Sequence, residues 1–385
     1  MELKDIAAIY DCPHSTAPDE GAGFALIRTP NIGKGRLLLD NVHRVSKEVY
    51  DRRNKRAIPQ EGDIIFAREA PAGNAALITK GQEVCLGQRT VLIKPNHNVC
   101  DSEFLVYYLL APEQQIKLLG FSHGATVEHV NISELSKLPL TLPQLKEQRR
   151  IASILSAYDN LIENNTRRIR LLEQMAENLY KEWFVRFRFP GHEKVEFVNG
   201  LPRGWKEEKL ENILSLKDNV RIPLSSLERS EMQKKYPYYG AASILDYVDD
   251  YLFEGVYLLL GEDGSVVDEN GYPYIQYVWG KFWVNNHAHV IEKNGIFSVE
   301  YLYCMFKKMN ILSIVTGVAQ PKISQGRLFN KKVIKPSDAI ISLFDKMIQP
   351  IFAEIRQLTE EIKNLTRQRD LLLPRLMSGR LEVKE

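Results

Sequence analysis

Apolar residues recur at spacings of three and four along two long stretches of this chain. From Gln144 to about Phe184 they fall at Ile151, Ile154, Leu155, Tyr158, Leu161, Ile162, Ile169, Leu172, Met175, Leu179 and Trp183. From about Ser337 to Leu373 they fall at Ile341, Phe344, Ile348, Ile351, Phe352, Ile355, Leu358, Ile362, Leu365 and Leu372. That period puts one apolar stripe on each of two helices. With their rise per residue, the helices would be roughly 60 Å and 55 Å long. Stripes of this length need a partner. The simplest is the other helix, packed antiparallel as a coiled coil; two helices in an ordinary core are the alternative. Asn164, Asn165 and Pro350 interrupt the stripes at corresponding places. Pro350 should kink its helix and Pro374 should end it, with Gly379 following.

Between these stretches the pattern is shorter. Gly23–Arg28, Asp63–Ala67, Ala75–Ile78 and Val84–Lys94 are apolar or alternating runs bounded by Gly, Pro and Asn, and they predict strands. Asp101–Leu119 predicts a helix interrupted near Pro112. Later, Val256–Leu260, Tyr274–Val278 and Phe282–Ile291 predict strands, and Ser298–Lys308 a helix. The Gly- and Pro-rich segment Pro190–Gly204 marks a boundary.

The second series repeats the first. Leu3–Ile6 resembles Leu210–Ile213, and Glu61–Ile65 resembles Glu254–Leu258. Ser102–Leu105 echoes Val299–Leu302. Gly124 through Pro143 tracks Gly317 through Pro336, with Ile132-Ser133 matching Ile323-Ser324. Tyr158-Asp159 matches Phe344-Asp345, and Ile169-Arg170 matches Ile355-Arg356. The offset drifts around 190 residues, far beyond a solenoid period, so the chain is a domain-scale duplication. The order of the matches carries more weight than any one of them.

Composition adds constraints. Of the 385 residues, 44% are hydrophobic, enough for packed cores, and the formal net charge of +2 means that any basic surface is local. Cys12, Cys85, Cys100 and Cys304 lie far apart and form no C-x-x-C pair, so neither zinc nor a disulfide framework is expected. Met1–Asp5 does not read as a signal peptide, and no apolar run is long enough to span a bilayer. The expected location is a reducing cytoplasm. The chain has no G-x-x-x-x-G-K-[ST], H-E-x-x-H or G-x-S-x-G signature, no Asn- or Asp-Pro-Pro-aromatic motif, and no acid-x-Lys suitably placed after Pro18-Asp19. No catalytic residue is therefore expected.

What remains suits recognition. Arg52, Arg53, Lys55 and Arg56 form a basic cluster around Asn54, either a DNA contact or a solvated loop. Tyr238 and Tyr239, with Tyr236, Tyr247, Tyr251, Lys234 and Lys235, suit sugar, phosphate or base contacts or an ordinary β core. Gln88, Arg89, Asn285, Asn286, His287, Gln320 and Lys322 offer amides and cations of the kind that read base edges. His287 and His289 sit two apart on a predicted strand, as a polar or DNA-facing pair or as two ligands lacking a third; no metal is expected. Gly261-Glu262-Asp263-Gly264 reads as a tight turn, with a carboxylate site as the alternative.

Several of these segments together resemble the specificity subunits of type I restriction–modification enzymes. Tyr238–Ile244, Gly261–Gly264, Trp283–Val290 and Gly317–Ser324 look like their second target-recognition domain. Leu142–Ala152, with Leu155, Asp159 and Ile162, looks like their first conserved helical region, and Leu371–Gly379 like the end of the second. Asp11–Pro18 resembles a family motif with Gly at positions 12 and 15, where this chain has Cys12 and Ser15. The resemblance implies an α/β (α+β) fold class. Two mixed α/β target-recognition domains would be joined by two long antiparallel helices forming a coiled-coil spacer, with an internal pseudo-twofold duplication. Residues 1–143 would be the first recognition domain, 144–189 the first helical region, 190–336 the second recognition domain and 337–385 the second helical region. The partners implied are double-stranded DNA, two modification (methyltransferase) subunits and motor–nuclease restriction subunits, with no membrane. S-adenosylmethionine, ATP and Mg would be bound by those subunits and no cofactor by this chain. The residues alone also accommodate a free-standing two-headed DNA-binding regulator or a coiled-coil scaffold.

Overall fold

A computed structural model describes residues 1–120, 129–317 and 320–383. The chain divides into two compact units, one of residues 1–164 with 362–385, the other of residues 165–361.

The first unit contains strands β1 (Ala7–Asp11), β2 (Phe24–Ile27), β3 (Gly35–Arg36), β4 (Arg44–Val45), β5 (Ile64–Ala67), β6 (Ala75–Leu77), β7 (Val84–Leu86) and β8 (Thr90–Pro95). Its helices are α1 (Leu3–Ile6), α2 (Lys47–Arg53), α3 (Ser102–Leu110), α4 (Pro112–Gly120), α5 (Ile132–Ser136) and the start of α6 (Leu145–Tyr180). One sheet runs β1-β8-β5-β6-β3 and another β4-β2-β7. All four residues of β5 are buried because its two faces pack into different cores. Ile64 and Phe66 join Val91, Ile93 and the α3 residues Phe104 and Leu105, whereas Ile65 and Ala67 join Ile27, Val84 and Leu92. The Asp101 carboxylate caps α3 by accepting from the Phe104 N–H at 3.0 Å. Pro112, without an N–H, starts α4 rather than extending α3.

The second unit holds the rest of α6 and strands β9 (Phe197–Val198), β10 (Leu201–Pro202), β11 (Lys206–Lys209), β12 (Ser215–Leu216), β13 (Tyr236–Tyr239), β14 (Ile244–Val248), β15 (Phe253–Gly261), β16 (Ile275–Val284), β17 (Ala288–Glu292) and β18 (Lys332–Lys335). Its helices are α7 (Ser226–Glu231), α8 (Val299–Lys307), α9 (Gln325–Asn330) and most of α10 (Asp338–Met377). The main sheet runs β12-β17-β15-β16-β13-β14. Its first four strands repeat β1-β8-β5-β6, and the parallel pairing of β13 with the end of β16 repeats that of β2 with β7. The duplication is therefore one of topology, with β6 and β7 fused into the single strand β16.

That fusion corrects the strand pattern read from sequence. The break expected between Val278 and Phe282 is absent; β16 runs through Gly280, and the chain turns at Asn285–His287 instead. In the first unit the run Val84–Lys94 is two strands, broken at Gly87–Arg89. Gly87 is required there: a Cβ would lie 2.6 Å from the Ile27 carbonyl oxygen. Two repeat matches also shift. Ile64 pairs with Ile93 as Leu258 pairs with Ile291, so β15 aligns one residue later than the Glu61/Glu254 match implied. A slip of one residue would turn every side chain to the other face. Asn131 and Ser324 are the N-caps of α5 and α9, which aligns buried Val130 with buried Ile323 and displaces the Ile132/Ile323 match. Gly124, Val318 and Ala319, parts of the matched stretches, lie outside the described residues.

Within each unit, a segment of α6 packs antiparallel to one of α10. In the first, Leu155 and Leu376 share a core and Arg369 reaches Asp159. In the second, Arg168 pairs with Glu354 at 2.5 Å and Tyr180 meets the Phe344 ring edge-on. α10 continues through Pro374 to Met377, one turn beyond the expected end. Proline removes one donor and crowds one carbonyl; burial of Leu376 in the first core opposes that loss. The boundary segment 190–204 is tied to the second core at both flanks, where Phe189 stacks on Trp205 with centroids 5.2 Å apart.

Candidate nucleic-acid interface

Three backbone segments are knotted together in each unit. In the first, the Arg68 N–H donates to the Arg89 carbonyl at 2.9 Å, and the Val130 N–H donates to the Arg68 carbonyl at 3.0 Å. In the second, the Glu262 N–H donates to the His287 carbonyl at 2.8 Å, and the Ile323 N–H donates to the Glu262 carbonyl at 2.7 Å. Each knot carries an isolated antiparallel bridge one residue along, Glu69 with His129 and Asp263 with Lys322. Buried backbone groups must find partners, so the duplicated fold keeps this pattern while the side chains on it differ.

They differ in sign. The Arg68 guanidinium donates to Asp11 at 3.2 Å and to the Val130 carbonyl at 3.1 Å. At the same node Glu262 accepts from Arg221 at 2.7 Å, and the Lys322 ammonium lies 3.4 Å away. Beside Arg68, Glu69 pairs with Arg89 at 3.0 Å and with His129 at 2.7 Å. Beside Glu262, Asp263 pairs with His287. Both clusters present cations held by carboxylates, a surface chemistry suited to phosphates and base edges.

The residues singled out from the sequence fall into three groups. Gln88, Arg89, His287 and Lys322 come together on the two knots. Gln88 donates to the His14 carbonyl, while Asn286 is exposed in the β16–β17 turn and Gln320 is exposed two residues before Lys322. Arg52, Lys55 and Arg56 are exposed at the end of α2 and just beyond it, and Arg56 donates to the carbonyl of Asp11, the residue whose carboxylate Arg68 holds, at 3.5 Å.

The third group is interior, a correction to the expectation. Arg53 is 5% exposed and its guanidinium donates to the carbonyls of Leu86, Ser15 and Pro13, at 2.6, 2.9 and 3.3 Å. Tyr238 is buried, and its hydroxyl accepts from the Leu224 N–H at 2.9 Å. Asn285 is buried and accepts from the His287 N–H at 2.8 Å. Tyr239 is half-buried against the edge of Phe282, and burial pushes its phenol up to about 12.

His287 and His289 also part company. His287 lies in the turn, whereas His289 is buried, its Nδ1 2.6 Å from Asp218 and its Nε2 2.8 Å from the Ile323 carbonyl. Asp218, Glu262 and His289 place one possible ligand atom each within 4.8 Å of one another, the one such group among the described residues. Arg221 lies against both carboxylates, so the cluster already pairs its own charges. Gly261–Gly264, read as a turn with a carboxylate site as the alternative, lies at the end of β15 on the way to β16, and its Glu262 and Asp263 supply both carboxylates of the second knot, with Gly264 at φ +79. Arg68, Glu69 and His129 were missed altogether. The corrected repeat register would have found them, since it sets Arg68-Glu69 against Glu262-Asp263.

Two copies of one mixed α/β unit, each bearing a knot of paired cations and carboxylates, define a duplicated α/β protein. The family described as the type I restriction modification DNA specificity domain matches residues 1–174 and again 202–368, and the chain belongs to it. It is similar to the type I restriction enzyme MjaIX specificity subunit of Methanocaldococcus jannaschii, at 27% identity over 84% of this chain and 79% of that protein. It is also similar to the HindI specificity subunit of Haemophilus influenzae, at 23% identity over 85% of this chain and 88% of that one. Its fold is similar to the crystal structure of a type I restriction–modification system S subunit from M. genitalium, with a TM-score of 0.60 and 19% identity over 98% and 95% of the two chains. Among the described residues no helix is long and apolar enough to cross a membrane.

Proposed function

We propose that this chain is the non-catalytic specificity subunit of a type I restriction–modification complex and that its two heads read the two halves of a bipartite DNA site. The observation that carries this is the duplicated knot: one backbone scaffold displaying Arg68, Glu69, Arg89 and His129 in one unit and Glu262, Asp263, His287 and Lys322 in the other. Heads with the same frame and different side chains suit two different half-sites. The functional domains are residues 1–143 and 190–336. Residues 144–189 and 337–385 supply helical surfaces on which two methyltransferase subunits dock. Arg52, Lys55 and Arg56 serve phosphate contacts; Gln88, Arg89, Asn286, His287, Gln320 and Lys322 serve the grooves. Transfer chemistry and its S-adenosylmethionine belong to the methyltransferase partners, and ATP- and Mg-dependent cleavage to motor–nuclease partners. The complex works on double-stranded DNA in the cytoplasm.

The test is to produce the chain with the methyltransferase encoded beside it and map modified bases in the host DNA. One interrupted sequence motif is expected, lost when this chain is omitted. Co-purification without sequence-specific methylation would sink the proposal.

A further inference from the structure

Each knot sets a carboxylate behind a more exposed side chain. The Glu69 side chain is 24% exposed and Arg89 60%; Asp263 is 18% exposed and His287 48%. The acids therefore lie deeper than the groups they hold, and an approaching polyanion meets the outer groups first. The contacts are also selective by atom. Glu69 Oε2 lies 3.0 Å from Arg89 Nε in an ion pair, while its other oxygen engages His129 Nδ1. Asp263 Oδ1 engages His287 Nδ1.

Resting on the reading of these knots as DNA-facing, we propose that Glu69 and Asp263 are positioning residues that fix which base edge Arg89 and His287 recognise. A guanidinium has five N–H donors in a rigid fork. With Nε the guanidinium nitrogen paired to Glu69, both η nitrogens are left to donate as a pair, the geometry that matches O6 and N7 of guanine. Arg89 stands at φ +65 in the turn, and among the described residues its side chain makes no ion pair or hydrogen bond besides the pair with Glu69, which therefore orients its fork. In the second knot the carboxylate can only accept, so His287 gives its Nδ1 proton to Asp263 and, in the neutral tautomer this bond selects, offers Nε2 as an acceptor. An acceptor suits the exocyclic amino group of adenine or cytosine. The two heads thus present a donor fork and a single acceptor at related places, a difference that would make the half-sites unlike.

The experiment uses the full chain assembled with its methyltransferase subunits, acting on duplex pools with both half-sites randomised. Arg89→Ala is expected to lower discrimination for guanine at one position of one half-site by roughly tenfold. Glu69→Gln should lower it at that same position by about threefold, and Arg89→Lys should not restore it because an ammonium is a point charge. Retention of non-specific duplex by Glu69→Gln should be unchanged or raised, since a negative charge is gone. His287→Ala and Asp263→Asn should act together on the other half-site. If Arg89→Ala shifts a base and Glu69→Gln does not, the positioning role is overturned and the DNA-facing reading stands. If Glu69→Gln weakens all sequences and both half-sites alike, its role is structural and the proposal fails. If neither change alters any base preference, the DNA-facing reading falls as well.

Discussion

Arg369 donates to Asp159 at 2.6 Å, joining α10 to α6 within the first unit, and the Tyr107 hydroxyl donates to the other oxygen of the same carboxylate, also at 2.6 Å. The carboxylate is 7% exposed, so its charge depends on these two donors in place of water. Burial, and then the bond to Asp159, push the Tyr107 phenol well above its ordinary value, and it remains a donor throughout the working pH range. Removing one partner of such a pair leaves an uncompensated charge, which costs more than the net worth of the pair. Arg369 also pairs with Asp370 at 2.8 Å, so the group left uncompensated is Asp159, and Arg369→Met should destabilise the chain by about 3 kcal/mol in denaturant unfolding. The double change Asp159→Leu with Arg369→Met should recover most of that loss. A double variant as unstable as the sum of the singles would show that the two charges do not depend on one another.

Glu103 and Glu300 hold the same place in α3 and α8 and meet opposite surroundings. Glu300 accepts from Tyr277 at 2.6 Å, from Gln349 at 2.8 Å and from Arg356 at 3.1 Å. Glu103 makes no ion pair among the described residues: burial, and then the Asp101 charge, hold its carboxyl above the ordinary range, with Ser156 and the more distant Arg36 opposing. A carboxyl raised on folding binds its proton more tightly in the native state. Stability then falls as pH rises from the unfolded value through the folded one, and the full penalty persists at neutral pH. Glu103→Gln removes that penalty and should raise the melting temperature at pH 7 relative to the parent, with the difference shrinking toward pH 4. Glu300→Gln leaves Arg356 without its carboxylate and should lower the melting temperature at pH 7. Equal effects of the two substitutions would contradict the contrast.

Half-site reading should be separable. Gln88 and Arg89 belong to the knot of one unit, and Asn286 and Lys322 to the turn and knot of the other. Alanine at Gln88 should relax preference in one half-site only, and alanine at Asn286 or Lys322 in the other only. A direct base contact is worth about 1–3 kcal/mol of discrimination, so each change should be visible in methylation of a DNA library. Single substitutions that shift both half-sites equally would show that the heads do not read independently.

The long helices were legible because their period persists over 36 residues in α6 and 40 in α10, long enough for a stripe to outweigh local exceptions such as Pro374. Strand boundaries were harder because the signals that break strands act through context. Gly280 stands inside β16 at φ +81, while Asn285, with no Gly or Pro beside it, begins the turn. Tyr238 was ambiguous for a related reason. It occupies the place of Leu26 in the other repeat, and an aromatic can fill a core position while keeping its hydroxyl paired to Leu224. The partners that make Glu69 and His129 informative were hidden by a register error of one or two residues in the repeat, which composition cannot correct.

The basic cluster divides on the same principle, and its members should behave differently. Arg53 spends its donors on the carbonyls of Leu86, Ser15 and Pro13, and burial pulls its guanidinium below the ordinary value. Arg53→Ala strands three carbonyls and opens a void, so it should destabilise the chain by about 2–4 kcal/mol. Arg52 and Lys55 are exposed and have no comparable structural role. Their removal should leave melting nearly unchanged, weaken binding to all duplex sequences alike, and reduce the slope of log K against log salt by about one per charge lost. Binding isotherms at several salt concentrations, beside thermal unfolding of each variant, separate the two outcomes. If Arg52→Ala and Lys55→Ala change neither affinity nor salt slope, this end of α2 is a solvated surface and the phosphate contacts lie elsewhere.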